Sequence, residues 1–169
     1  NGGNLHTLGL PSFSFDHSAR TTNLLKPLPQ LRSLFSEVTG KFGRDLLLNC
    51  PNVTELEAPR DVFDDEMAKL MPQLRKLKLF GRFGYWAFYG EWFGSIPFAR
   101  LAPLSSELRE LTIHTRIELP TQPLRLERLE RLSLLLVDDE QKWRNVQLPA
   151  LKSLTTLVDS QFHLISPAA

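Results

Sequence analysis

Four histidines, one cysteine and two acidic triplets are the residues of this chain whose chemistry is most versatile, and their spacing argues against its use. His6, His17, His114 and His163 fall one per distant region, without the close pairs from which zinc sites draw their ligands. Acid–base catalysis needs groups held within hydrogen-bond reach, and this scatter suggests none. Cys50 precedes Pro51 at the expected C-terminal end of a helix, where the helix dipole raises a thiol pKa and weakens a nucleophile. Asp64-Asp65-Glu66 and Asp138-Asp139-Glu140 lack the alternating ligands and central glycine of a calcium loop; helix N-terminal charge accounts for both. Gly81, Gly84, Gly90 and Gly94 lack the strand context and lysine of a phosphate-binding loop. The expectation is a chain that is not an enzyme, with no catalytic residue, no metal site and no cofactor.

Composition narrows the partners. Twenty basic and nineteen acidic residues among 169 leave a net charge of +1, too little field to attract nucleic acid or an anionic membrane. The longest apolar stretch, residues 132–137, is interrupted by Ser133 and far shorter than the roughly 20 residues a membrane span needs. A lone cysteine favours a reducing intracellular setting, cytoplasmic or nuclear. Asn52-Val53-Thr54 is a formal glycosylation sequon and pulls the other way. The opening Asn-Gly-Gly-Asn has neither Met nor a basic-then-apolar signal, which fits a fragment of a longer protein.

The organisation lies in a repeat. An apolar, two variable, apolar, one variable, apolar pattern occurs as Leu5-Leu8-Leu10, Val53-Leu56-Ala58, Leu74-Leu77-Leu79, Leu108-Leu111-Ile113 and Leu129-Leu132-Leu134, with weaker copies at Leu31-Leu34 and Leu151-Leu154. First positions at 5, 31, 53, 74, 108, 129 and 151 give steps of 26, 22, 21, 34, 21 and 22 residues. Side chains alternate along a strand, so each short strand turns its apolar set inward, and a repeat with one apolar face must stack on its neighbours. Residues 64–71 carry acidic residues in a first turn, apolar residues at helical spacing and a stop at Pro72. Residues 44–49 and 96–104 also suggest helical returns, whereas residues 118–126, with Pro120 and Pro123, suggest an extended segment or a short turn. A stack without amphipathic caps exposes its ends. Upstream repeats or a partner are therefore expected over the N-terminal rung, and Phe162, Leu164 and Ile165 could help to cap the other.

These triplets resemble the leucine-rich-repeat family, whose period is about 20 to 29 residues. The phrases Cys50-Pro51-Asn52-Val53-Thr54-Glu55-Leu56 and Met71-Pro72-Gln73-Leu74-Arg75-Lys76-Leu77-Lys78-Leu79 are similar to the repeats of F-box-type proteins, particularly divergent fungal ones. The resemblance implies an α/β solenoid, or horseshoe, spanning residues 1–169 as one domain of about seven repeats. A parallel β-sheet would form its concave face and mainly helical returns its convex face. It further implies a protein-binding module, the substrate-recognition part of an F-box-like ubiquitin ligase receptor. No F-box pattern for the Skp adaptor is visible, and most copies lack the family's usual asparagine after the third apolar position.

In this register two columns of side chains face away from the core. The first runs Thr7, Ser33, Glu55, Lys76, Glu110, Arg131, Ser153, its charges alternating in sign as a cross-strand ladder would. The second runs Gly9, Phe35, Glu57, Lys78, Thr112, Ser133, Thr155, with Phe80, His114 and Leu135 at the next outward position. The 34-residue step contains an aromatic insertion, residues 81–98, in which half of the residues from 83 to 98 are aromatic. Those rings fold back over the solenoid or form a partner-binding patch; membrane insertion, the third alternative, is disfavoured because Arg82 and Arg100 are the only flanking basic residues. The partner-binding candidates are accordingly Phe35, Glu57, Lys78, Phe80 and His114 on the sheet and Tyr85, Trp86, Tyr89 and Trp92 in the insertion. The expected partner is a protein, with no nucleic acid and no membrane. The alternative is a structural or regulatory scaffold segment of a larger protein whose aromatic loop packs intramolecularly.

Overall fold

The computed structural model describes residues 5–11, 26–81, 95–115, 117–135 and 140–157. Within them the chain is α/β, built on a seven-stranded sheet whose strands are all parallel. Its strands are β1 (Thr7–Leu10), β2 (Ser33–Ser36), β3 (Glu55–Pro59), β4 (Lys76–Phe80), β6 (Glu110–His114), β9 (Arg131–Leu135) and β11 (Ser153–Leu157). They lie side by side in chain order, so each strand pairs with the next repeat's strand.

The register is the one the leucine spacing dictates. Leu8, Leu34, Leu56, Leu77, Leu111, Leu132 and Leu154 are successive Cα partners across the sheet. A one-residue slip would turn every one of these side chains to the wrong face. The residue before each strand keeps the same period: the carbonyls of His6, Arg32, Thr54, Arg75, Arg109 and Glu130 each accept two N–H groups from the following repeat. Parallel strands thus begin at the same height at all six steps.

A recurrent turn delivers the chain into four of the strands. Leu28-Pro29-Gln30-Leu31, Cys50-Pro51-Asn52-Val53, Met71-Pro72-Gln73-Leu74 and Leu148-Pro149-Ala150-Leu151 are each closed by an N–H of the fourth residue donating to the carbonyl of the first, at 3.1 to 3.3 Å. Proline second in such a turn has its φ preset and forfeits no needed donor. Side chains brace successive turns: Asn52 Nδ2 donates to Pro29 O at 2.9 Å, and Gln73 Nε2 to Pro51 O at 2.6 Å.

The returns vary. Helix α1 (Gly40–Leu48) follows β2 and buries Leu46 and Leu47; it starts four residues before the stretch from Arg44 that the sequence suggests. Gly40 adopts a positive φ of 65° there. Gly43 lets α1 approach its neighbours closely, since a Cβ would meet Val38 O at 2.4 Å and Val62 Cγ1 at 2.7 Å. Helix α2 (Asp65–Leu70) is capped by Asp64, whose carboxylate accepts from the N–H groups of Glu66 and Met67 at 3.0 and 2.9 Å. Of residues 96–104, where the sequence suggests a helical return, Phe98–Leu104 form a 3-10 helix and the first two form strand β5 (Ile96–Pro97). After β6 the proline-bearing return is extended, as its sequence suggests, with β7 (Ile117–Glu118) pairing with β5 and β8 (Leu124–Arg125) with β10 (Val146–Gln147). A 3-10 helix (Glu140–Asn145) precedes β10.

The core fills the space between sheet and returns. From the strand side come the leucine spine, the rung Leu31, Val53, Leu74, Leu108 and Leu129, and the rung Ala58, Leu79, Ile113 and Leu134. From the returns come Leu46, Leu47, Phe63, Met67, Phe98, Leu101 and Leu104. Phe98 is fully buried and meets Trp143 edge-on, ring centres 5.9 Å apart. Of the insertion expected over 81–98, residues 96–98 belong to this folded return, and residues 82–94 lie outside the described residues. At the two ends of the sheet single apolar residues are open: Leu5, ahead of β1, is 46% exposed and Leu154, on β11, is 58% exposed. Residues after Leu157 lie outside the described residues. Among the described residues no helix is long and apolar enough to cross a membrane.

Candidate functional site

Residues suited to chemistry are absorbed by the framework. Asp64 caps α2 and pairs with Arg44, Glu66 pairs with Arg44, and Asp65 pairs with Arg100 at 2.7 Å. The first acidic triplet is therefore neutralised by arginines from the returns on either side of it. Cys50 is fully buried, and burial pushes its thiol up to about 11, so the thiolate is scarce at neutral pH. The direction matches the sequence expectation, but burial rather than a helix end is the cause. Asn52 of the sequon sits in the exposed turn before β3, its amide nitrogen engaged with Pro29 O. Among the described residues no group of three His, Cys, Asp or Glu side chains could hold a metal ion.

What is left is the sheet face turned away from the core. Its first column is a charge ladder. Lys76 Nζ lies 3.0 Å from Glu55 and 3.8 Å from Glu110, and Glu110 also binds Arg131. Ser33 Oγ donates to Glu55 Oε2 at 3.0 Å. Accepting from Lys76 holds the Glu55 carboxyl below its usual range, and donating to Glu55 raises Lys76. Alternation in sign, legible in the sequence, thus becomes contact across strands about 4.8 Å apart. Exposed pairs of this kind contribute little stability, about 0 to 1 kcal/mol each, so their main effect is to fix where charges stand.

The second column holds the face candidates. Glu57 and Lys78 pair at 2.7 Å on neighbouring strands. His114, beside Phe80 in register, is half-buried; burial and then the Lys78 charge lower its pKa. Phe35 is 41% exposed, and next to it Gly9 offers no side chain and open space. A groove of about 480 Å³ at this corner is lined by Gly9, Leu10, Pro11, Phe35, Ser36, Glu37, Glu57 and Phe80. One expectation is corrected. Phe80 stands at an outward position yet is only 5% exposed. The turn after β3 runs beside it, with Arg60 N–H donating to Phe80 O at 2.9 Å. Phe80 therefore forms a wall of the groove instead of a projecting anchor. Tyr85, Trp86, Tyr89 and Trp92 lie outside the described residues.

Two features escaped the sequence reading. The braced proline turns repeat at residues 28, 50, 71 and 148, and the recurring apolar-Pro-x-apolar tetrad was the signal available for them. A further column of charge precedes the strands, where Arg75, Arg109, Glu130 and Lys152 are successive, and Glu130 pairs with Lys152 at 2.9 Å. Arranged in this way, the face can position charges, one accessible ring and a shallow groove against another surface. No protein-family model matches the chain, and no curated protein or solved structure does either.

Proposed function

We propose that this chain is a leucine-rich-repeat solenoid of about seven repeats, a horseshoe with the sheet on its concave side, acting as a non-catalytic protein-recognition module. The observation that carries the proposal is the seven-stranded parallel sheet laid down in chain order and unbroken register. Such a stack shares its core between neighbours and leaves a long periodic face free of core duty, the usual binding surface of repeat proteins. Phe35, Glu57, Lys78 and His114 supply anchor and specificity groups on that face, with Phe80 behind them; Tyr85, Trp86, Tyr89 and Trp92 of the insertion are further partner-binding candidates. Interface energy concentrates in such large side chains. The more specific reading, drawn from the resemblance of residues 50–56 and 71–79 to F-box-type repeats, is the substrate-recognition part of an intracellular F-box-like ubiquitin ligase receptor.

Affinity capture tests the general reading with two variants. Partners that disappear with Phe35→Ala plus Lys78→Glu but persist with Leu70→Ser, on the exposed side of α2, support recognition through the sheet face. A partner set unchanged by the face variant overturns it. The ligase reading additionally requires co-purification of a Skp-type adaptor and ubiquitination of the captured partner; failure of both removes that reading alone.

The exposed apolar residues at the two ends of the sheet, Leu5 and Leu154, favour a second reading, a scaffold segment whose aromatic insertion packs intramolecularly. In a Trp143→Phe background, acrylamide quenching reports on the other two tryptophans, Trp86 and Trp92. Shielding in the isolated chain supports the scaffold, and free quenching supports the binding loop.

A further inference from the structure

The outward face obeys a rule of alternating charge with one exception. In the first column every charged neighbour is of opposite sign, and in the second Glu57 faces Lys78. In the column just before the strands, Arg75 and Arg109 are adjacent, since Arg109 N–H and Glu110 N–H both donate to Arg75 O. Like charges directly across neighbouring strands are unfavourable. Arg75 has only a long contact of 3.9 Å to Glu107, which itself sits closer to Arg128 at 3.2 Å. Arg109 is exposed and makes no side-chain hydrogen bond or ion pair among the described residues; the opposite charge nearest in its column is Glu130 on the next strand, which it attracts but which is itself bonded to Lys152 at 2.9 Å. Between the two arginines lies a shallow cleft of about 300 Å³, whose other walls are Thr54, Glu55, Lys76 and Glu110.

The surroundings share the imbalance. Along the strand-entry rim, the positions one and three residues ahead of the strands carry, among the described residues, the cations Arg32, Arg75, Arg109, Arg128 and Lys152 and the carboxylates Glu107 and Glu130, while Glu55 and Glu110 stand in the next column. Five cations less two carboxylates leave +3 on this rim, in a chain whose whole net charge is +1. Composition alone conceals that polarity.

We infer that the Arg75–Arg109 cleft is a docking site for a carboxylate side chain on an acidic, extended segment of a protein partner. A carboxylate between two guanidiniums restores the alternation the rest of the face maintains, and guanidinium forks suit carboxylate geometry. A nucleic-acid backbone fits less well. Its closely spaced phosphates would meet Glu55, Glu107, Glu110 and Glu130, which are interleaved with the cations, whereas an acidic side chain needs only one gap. The inference rests on the proposed role of the sheet face in protein recognition and adds the chemistry of what is recognised.

A short fluorescein-labelled peptide of alternating Ser and Glu is the probe, titrated against the full chain by fluorescence anisotropy. Saturable binding that weakens with added salt is expected, with affinity lowered about five- to tenfold by Arg109→Gln and by Arg75→Gln separately. Each variant should unfold at a temperature equal to or above that of the parent, because it relieves repulsion in the free protein. That pairing of lost affinity with retained stability is not what a structural arginine would show. The inference is overturned if the peptide does not bind at low salt, if either folded variant binds it as well as the parent, if the variants lose stability in step with affinity, or if a single-stranded oligonucleotide of equal charge displaces the peptide with higher affinity. Failure here, with capture through Phe35 and Lys78 intact, would remove the acidic ligand and leave the recognition module standing.

Discussion

Leu77 and Leu154 are the same residue in the same register position, two further strands lying between them, yet one is 2% exposed and the other 58%. Their sequence surroundings predict equal burial. The difference arises because Leu77 has a strand on each side, whereas Leu154 sits on the last strand among the described residues. Burial here is conferred by the strands on either side, so the stability of a central strand depends on its neighbours as much as on its own residues.

The sharpest way to break that comparison is truncation. Leu77→Ala should cost about 2–5 kcal/mol, the transfer and cavity terms of a closed core site, whereas Leu154→Ala should cost less than about 1 kcal/mol. Urea unfolding of the two variants checks this. Equal losses would mean that the terminal rung is as tightly covered as the central ones, and the end-to-middle gradient would be gone.

The next effect sharpens the comparison by moving from strands to returns. Gly43 lies where α1 presses against Val38 and Val62. Adding one methyl in Gly43→Ala should destabilise by about 1–3 kcal/mol, even though alanine is the better helix former. A rise in melting temperature would show that α1 can shift outward without disturbing the rungs beneath it. Asp64→Ala follows, at about 1 kcal/mol, from the lost cap of α2. Its partner Arg44 would be left with Glu66, so much of the ionic contribution is retained.

These cases show which parts of the molecule are legible in the chain. The sheet register was readable because period-two alternation and a leucine at every rung admit only one alignment, and the Glu55-Lys76-Glu110-Arg131 alternation supported it independently. The return through α2 was readable because Asp64 and Pro72 punctuate it. The start of α1 was not, since Gly40 and Gly43 argue against helix locally and are there for a positive φ and a close approach. Phe80 is buried where alternation predicts exposure, because alternation describes the strand's own pleat and is blind to the turn that rides beside its end. Arg75 and Arg109 were overlooked because they stand one residue outside the strands, 34 positions apart, and only the register makes them neighbours.

The smallest predicted effect lies on the outward face, where the same rungs bring His114 near Lys78 and Glu57. Burial and the Lys78 charge set the folded pKa of His114 below its ordinary value of 6.5, with Glu57 acting weakly in the opposite sense. The unfolded chain therefore binds the His114 proton more readily than the folded one. Its contribution to stability is complete above pH 6.5 and is lost as pH falls through the window between that value and the lower folded pKa. Parallel urea titrations at pH 7.5 and pH 5.5 should show His114→Gln losing less stability on acidification than the parent, by a fraction of a kcal/mol. Substituting Lys78→Met should narrow the same gap from the other side, because it removes the neighbouring charge and leaves only burial to disfavour the imidazolium. If the parent and His114→Gln respond identically to acid, the histidine is freely solvated, and the outward face at the ends of β4 and β6 is more open than the packing of Phe80 and His114 implies.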